Sequence, residues 1–475
     1  MNTIQLETDY LIIGCGAVGM AFADVLLSET NASIVIVDNH HKPGGHWNDA
    51  YPFVTLHQPS AFYGVSSLEL SSGRKDEVGL NKGLMELATG DEVMSYFNQV
   101  MQHRFLPSGR VQYFPMCEYE GNGKFRALLS EQSYKVAVNK KIVDGTHFKT
   151  SVPATHSRNY TAADGVEVKP LNELPLLKTR RDNYVVVGGG KTGIDAVLWM
   201  LDNQIEPDKI TWIMPRDAWL MDRENAQPAR EYFMSTIGAQ VRQAEAIGQA
   251  SSLDDLFDRL EKAGCILRIF PEVTPTMYHG ATVSRDEVAQ LQRIKNVVRL
   301  GRVKHIDRTS ITLEQGEIPT TENSIHIDCS ARAVPVQDIK PVFDGNLITI
   351  QTVRTIQPVF SAAFIAHIEA TYDNNEKKND LCTVVPLPNH DYDWLAANAG
   401  QMQNQFKWSQ EPGLRDWLMA NRLDGFTALT VPNEDTTPEE LNLLGQLRAA
   451  VPAAASNMPR LMGEVMARRA AASAS

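Results

Sequence analysis

Tyr10-Leu11-Ile12-Ile13-Gly14-Cys15-Gly16-Ala17-Val18-Gly19 reads as a buried apolar strand that runs into a G-x-G-x-x-G turn. Ala21 to Ser28 has helical composition, and Ser33-Ile34-Val35-Ile36-Val37 is a β-branched run that ends on Asp38-Asn39. Each part has a use in holding a dinucleotide. Gly14 makes the tight turn, Gly16 lets the backbone approach a pyrophosphate, and Gly19 lets helix and strand pack closely. The backbone at Ala17 and Val18 opens the helix, whose positive end faces the negative charge. Asp38 closes the unit where a carboxylate accepts a ribose hydroxyl. A bare glycine pattern is weak evidence; strand, turn, helix, strand and terminal acid in succession make a strong one.

The pattern recurs. Tyr184-Val185-Val186-Val187 is a second buried strand, Gly188-Gly189-Gly190-Lys191-Thr192-Gly193 the turn, and Ile194 to Leu201 the helix. The next strand, Ile210 to Met214, ends in Pro215-Arg216, where the first unit ends in an acid. A carboxylate there would repel a 2′-phosphate, whereas a guanidinium grips it in a fork. The second unit therefore suits NADP(H) better than NAD(H). Lys191 either adds charge near the phosphates or is simply solvated. Two nucleotide units in one chain point to a flavin in the first and a nicotinamide in the second, with hydride passing between them.

Bulk properties agree with a soluble enzyme. A chain of 475 residues exceeds one ordinary core, and 43% hydrophobic with 21% charged residues is globular in type. The net charge of −12 argues against nucleic acid as a partner. No apolar run has the length of a membrane span, and the first strand starts too early to leave room for a signal peptide. Cys15, Cys117, Cys265, Cys329 and Cys382 are scattered, which suits a reducing cytoplasm and offers neither a zinc site nor a redox-active pair. The oligomeric state is open.

Other stretches bear on the site. His40-His41-Lys42-Pro43-Gly44-Gly45-His46-Trp47 places two glycines before a Trp, either as backbone against a flat ligand or as a packed turn. Tyr51-Pro52-Phe53-Val54-Thr55-Leu56-His57-Gln58 is a loop dense in donors and acceptors. Asp91 to Arg104 is an amphipathic helix, and Val111–Cys117, Tyr134–Val138 and Lys141–Val143 read as strands. Arg230 to about Arg293 reads as mostly helical, a roof over the substrate or plain packing. Ile325–Asp328 and Leu347–Ile350 are strands; Thr355-Ile356-Gln357-Pro358 opens a helix that can aim its positive end at an anionic flavin. The tail from Leu395 is helical, fraying from Ala470.

In this order, Gly14/Gly16/Gly19, Gly44-Gly45-His46-Trp47, Gly188/Gly190/Gly193 and Arg216 resemble the flavin-containing monooxygenase-like superfamily, the class B flavoprotein monooxygenases, over about residues 5 to 370. The resemblance implies an α/β fold of two Rossmann-like dinucleotide-binding domains. An FAD domain would span 1–165 and 325–400. An NADP domain would span 166–324 with a helical insertion at about 225–295, followed by a C-terminal helical extension over 401–475. It implies that the strand ending at Cys117 receives the adenine, and that Gly145-Thr146 and Ser330-Ala331 are worn Ala-Thr-Gly crossovers. One departure stands out. With the family's linker histidine aligned to His156, Tyr160 matches, but Thr150 and Val152 stand where Phe and Gly belong.

The implied reaction uses NADPH, FAD and molecular oxygen. A flavin peroxide delivers one oxygen atom to a small amine, thioether or ketone. His57 and Gln58 are the candidate catalytic side chains, Gln58 as an amide donor and His57 as proton shuttle or neutral donor. Two alternatives stay open: a reductase of the same fold that never uses oxygen, and a flavin-binding protein without turnover.

Overall fold

The computed structural model describes residues 2–332, 334–335 and 337–474. Parallel strand pairing builds two separate sheets. In the first, five parallel strands lie in the order Leu347–Thr349, Ser133–Asp144, Ile4–Ile13, Ile34–Val37, Val111–Phe114. Helices Ala17–Glu29 and Pro358–Thr371 are buried nearly all round and share one core with the underside of this sheet. In the second, Val168–Pro170, Ile325–Asp328, Tyr184–Val187, Ile210–Ile213 and Val297–Val298 are parallel in that order. The chain leaves the first sheet at Asp144 and returns to it at Phe343–Asp344, so the second sheet sits inside a break in the first unit. Architecture is thus mixed α/β with two parallel sheets.

Several elements differ from the sequence expectation. Val111–Cys117 is not one strand. Met116 takes φ 53°, the strand stops at Phe114, and Cys117 opens a hairpin, Cys117–Gly121 with Lys124–Ala127. Tyr134–Val138 and Lys141–Val143 are one strand, Ser133–Asp144. Between Arg230 and Arg293 the chain is mostly helical, as expected, in Phe233–Gln249, Leu253–Lys262 and Arg285–Leu291, but unexpected strands lie among the helices. Helices Phe233–Gln249 and Leu253–Lys262 pack with a three-stranded sheet of Ala218–Asp222, Ile266–Leu267 and Met277–Val283. The last strand is interrupted in pattern by Gly280, which sits at φ 71°, and Ile356 fills the space where a side chain would go.

The tail does not fray at Ala470. Helix Pro438–Ala474 continues past it, and its earlier side chains close the corner between Phe233–Gln249 and Leu253–Lys262. Asn457 donates to the Ile247 and Ala250 carbonyls at 2.8 Å each, and Glu464 accepts the Leu253 N–H at 2.9 Å. Arg469 pairs with Asp393 at 2.7 Å.

The two glycine turns are near copies. Gly16 and Gly190 cap their helices at φ −82° with ψ −175° and −176°. A Cβ on Gly19 would lie 2.1 Å from the Gly14 carbonyl oxygen, and one on Gly193 would lie 2.1 Å from that of Gly188. Gly190, by contrast, has nothing within 4 Å of such an atom. Gly193→Ala should therefore cost about 3 kcal/mol in urea unfolding followed by circular dichroism, the upper range for overpacking. Gly190→Ala should cost less than about 1 kcal/mol, since only a weak capping preference is lost.

Candidate functional site

The first glycine turn is enclosed by backbone. Gly45 packs on Gly16 so closely that a Cβ on Gly45 would lie 2.9 Å from the Gly16 Cα, and the Gly44 N–H donates to the Cys15 carbonyl at 2.9 Å. Gly145 closes the other side, its N–H donating to the Ile13 carbonyl at 2.9 Å. In the second unit Cys329 and Ser330 stand in the same relation to Gly188, the Cys329 carbonyl oxygen lying 2.3 Å from a Gly188 Cβ. The helices that follow, from Ala17 and from Lys191, have no side-chain cap and no acid in the first turn. Elsewhere Thr89 and Ser284 cap their helices in full capping boxes with Glu92 and Glu287. The two glycine helices thus keep their first N–H groups for an anion, as a dinucleotide pyrophosphate requires. Val18 and Thr192 are half-buried beside these turns, and Ala17 is buried.

Asp38 is buried and engaged. Its carboxylate accepts the Cys15 N–H, the His40 N–H at 2.7 Å and His40 Nδ1 at 2.9 Å. Of the roughly four lone-pair sites a carboxylate offers, one remains for a ligand hydroxyl. His40 Nε2 meets Asp49 Oδ2 at 2.9 Å, so both ring nitrogens face carboxylates. Those hydrogen bonds, Asp38 first, push the His40 pKa up to about 9 against the opposing effect of burial. The Tyr113 hydroxyl, on the adjacent strand, is buried beside the Cys15 thiol. Asn39 is exposed, and Cys117 is buried, its N–H donating to the Asp38 carbonyl at 2.9 Å. A glycine cradle and a carboxylate with spare capacity fit the adenosine and pyrophosphate of FAD.

The loop after the glycines runs between the units. His46 stacks on Trp47 at 5.5 Å between centroids, and burial, then the charge of His40, lowers its pKa to about 4. Trp47 Nε1 donates to the Tyr63 hydroxyl at 2.7 Å. His57 Nδ1 accepts the Thr282 N–H at 3.2 Å, which leaves its single proton on Nε2. Burial, then Lys191 and Arg223, lowers the His57 pKa to about 3. Arg223, fully buried, donates to the His57 carbonyl at 3.0 Å and to Glu287 at 2.8 Å. Gln58 is half-buried and its side chain makes no hydrogen bond among the described residues.

In the second unit Lys191 pairs with Asp195, whose other oxygen accepts the Tyr51 hydroxyl at 2.6 Å. Arg216 donates to Asn389 Oδ1 at 3.2 Å, and His279 Nε2 lies 3.1 Å from the same oxygen. Burial lowers the Arg216 pKa, with Arg302 and Arg332 adding repulsion. Arg302 and Arg332 form no side-chain ion pair among the described residues. Three arginines close enough to repel one another suit a phosphate. Sequence reading missed Arg302, Arg332, His279 and Asn389, because they come from separate segments and carry no motif.

The remaining candidates lie at the joints. His156 Nε2 is 3.5 Å from Ser330 Oγ, Ser330 Oγ donates to Asp328 Oδ1 at 2.6 Å, and Tyr160 donates to the same oxygen at 3.1 Å. Gln357 caps the helix Pro358–Thr371 without a side-chain cap bond. Ile356 before it holds φ 57°, a strained conformation for a β-branched residue, against Gly280.

No family model matches the chain. It is 50% identical over 430 residues to uncharacterized proteins of Mycobacterium tuberculosis and Mycobacterium bovis, covering 90% of this chain and 79% of theirs. The chain belongs to the family of these mycobacterial proteins. Among solved structures, an ε-caprolactone-bound cyclohexanone monooxygenase aligns with a TM-score of 0.50 at 12% identity, over 77% of this chain and 86% of that one. The chain therefore shares its fold with this cyclohexanone monooxygenase. Among the described residues no helix is long and apolar enough to cross a membrane.

The His40 clamp has a pH signature. Its folded pKa lies above the unfolded value of about 6.5, so its stabilisation is complete below that pH and lost as pH rises through about 9. Urea unfolding should show stability falling by about 2 kcal/mol from pH 6.5 to 9.5. In His40→Asn that slope should be largely absent.

Proposed function

We propose that this protein is an FAD- and NADPH-dependent monooxygenase that places one oxygen atom on a small amine, thioether or ketone. The observation that carries the reading is the pair of uncapped glycine cradles, the first with Asp38 and the second ending at the Arg216 cluster. In this reading residues 1–165 and 325–400 form the FAD unit, 166–324 the NADP unit, and 401–475 an extension that braces the insertion.

Bound FAD supplies the hydride acceptor and the oxygen-reactive ring. The chain's own residues do the rest. N–H groups at Gly16 to Gly19 and at Gly190 to Gly193 hold the two pyrophosphates. Asp38 takes a ribose hydroxyl at its remaining lone pair, and Cys117 and Gly145 line the cofactor with backbone. Arg216, with Arg302 and Arg332, grips the 2′-phosphate. Gly45, His46 and Trp47 form a wall that keeps water from the reacting centre. Gln357 holds the start of a helix whose positive end favours an anionic ring. Ser330 and His156 tie the linker to the NADP unit. Gln58 has a free amide to donate, and His57 donates from Nε2 as a neutral ring, because Thr282 occupies Nδ1 and two cations oppose protonation.

Purified protein should be yellow and release FAD on denaturation, and it should oxidise NADPH faster than NADH. Arg216→Ala should raise the KM for NADPH by about 10-fold or more, the loss of a charge-assisted bond, and leave that for NADH unchanged. Candidate substrates turned over under ¹⁸O₂ should carry label; NADPH consumption without labelled product would assign the chain to the reductases. Colourless protein that cannot be reconstituted with FAD would sink the reading.

His57 makes a separate prediction. Between pH 5 and 8 it should contribute no inflection to the rate profile. His57→Asn, which can still accept from Thr282 and donate, should keep that profile, and His57→Leu should lose about 100-fold in kcat. Disappearance of an acid limb in the asparagine variant would instead make His57 a proton shuttle.

A further inference from the structure

Lys191 is oddly placed for a structural lysine. It is the first residue of its helix, where the helix dipole disfavours a cation. Its partner Asp195 lies one turn on, the poorer order for an i,i+4 pair. The side chains are only 19% and 15% exposed. Helix stability does not account for this pair. Its location does have another consequence, which rests on the reading of the second cradle as a dinucleotide site. A pyrophosphate at this helix start meets the Lys191 ammonium, and Asp195 competes for the same ammonium while repelling the pyrophosphate. Asp195 in turn is not free to swing away. Tyr51, 7% exposed, donates to it at 2.6 Å from a loop of the first unit. That loop is docked further along the same helix by Phe53 stacked on Trp199, at 5.0 Å and 24°.

We propose that Asp195 is a positioning residue that sets dinucleotide release, drawing Lys191 off the pyrophosphate, with Tyr51 holding its carboxylate in place. The pair closes when the cradle is empty and opens when it is filled. Tight binding is thereby traded for turnover, and the trade is linked across the two units by one phenol.

Equilibrium titration of the folded protein with NADP⁺ and with adenosine 2′-monophosphate tests this, since the second ligand keeps the 2′-phosphate and carries no phosphate at the 5′ position. Asp195→Asn should tighten NADP⁺ by about 10-fold and leave the 2′-monophosphate unchanged, as expected for removing a charged competitor. Tyr51→Phe should shift NADP⁺ in the same direction by a smaller factor. Lys191→Met should weaken NADP⁺ and, in the double variant, abolish the effect of Asp195→Asn. In steady state Asp195→Asn should lower KM for NADPH and kcat together. Unchanged or weaker NADP⁺ binding by an Asp195→Asn protein with a native circular dichroism spectrum overturns the inference alone. Wild-type protein that binds neither ligand overturns the dinucleotide reading beneath it.

Discussion

Two close approaches of backbone govern this molecule: Gly19 against the carbonyl of Gly14, and Gly193 against that of Gly188. In each the distance a Cβ would have is 2.1 Å, less than any non-bonded carbon and oxygen tolerate. Each contact presses the start of a helix onto the end of a strand, so that the first helical N–H groups face outward over the sheet edge. From behind, Gly145 and the Cys329–Ser330 peptide fill the remaining space. Remove either contact and the helix must lift off its strand, taking its N–H groups with it.

This constraint is local in sequence, and it was legible for that reason. Strand, turn, helix and strand of both units could be read from Tyr10 to Asp38 and from Tyr184 to Arg216, and the crossover residues lay near the expected places. What escaped reading depends on partners far along the chain. Met277–Val283 is a strand because Ala218–Asp222 pairs with it, although Gly280 interrupts its pattern. Arg302 and Arg332 join Arg216 only after the second sheet has closed. His40 looked like one of two loop histidines until Asp49 was brought round to its far nitrogen. The hairpin from Cys117 to Ala127 is a different case, since its turn signal, Gly121-Asn122-Gly123, is local in the sequence.

The same chemistry takes opposite forms at His40 and His57. Both start near the ordinary imidazole value. His40 lies between two carboxylates and stays cationic to about pH 9; His57 lies near two cations, gives up Nδ1 to a backbone N–H, and stays neutral to about pH 3. A cation beside Asp38 offsets one negative charge where a pyrophosphate would add more. A neutral donor farther along the loop can serve a reacting centre without exchanging protons with water. Charge is therefore sorted along a single loop, positive at its root and neutral at its tip.

That loop also decides how firmly the two units are joined. At its tip Arg223 holds the His57 carbonyl, Asn81, Thr282 and Glu287 from a fully buried position, and pulling one partner from such a cluster costs about 3–5 kcal/mol. At Tyr51 the tie is one phenol on one carboxylate, and that carboxylate is shared with a lysine whose charge a nucleotide also wants. Any small displacement of the units on binding should then pivot about Arg223 and yield at Asp195. A joint that is stiff at one end and soft at the other lets the second cradle fill and empty while His57 stays where it is.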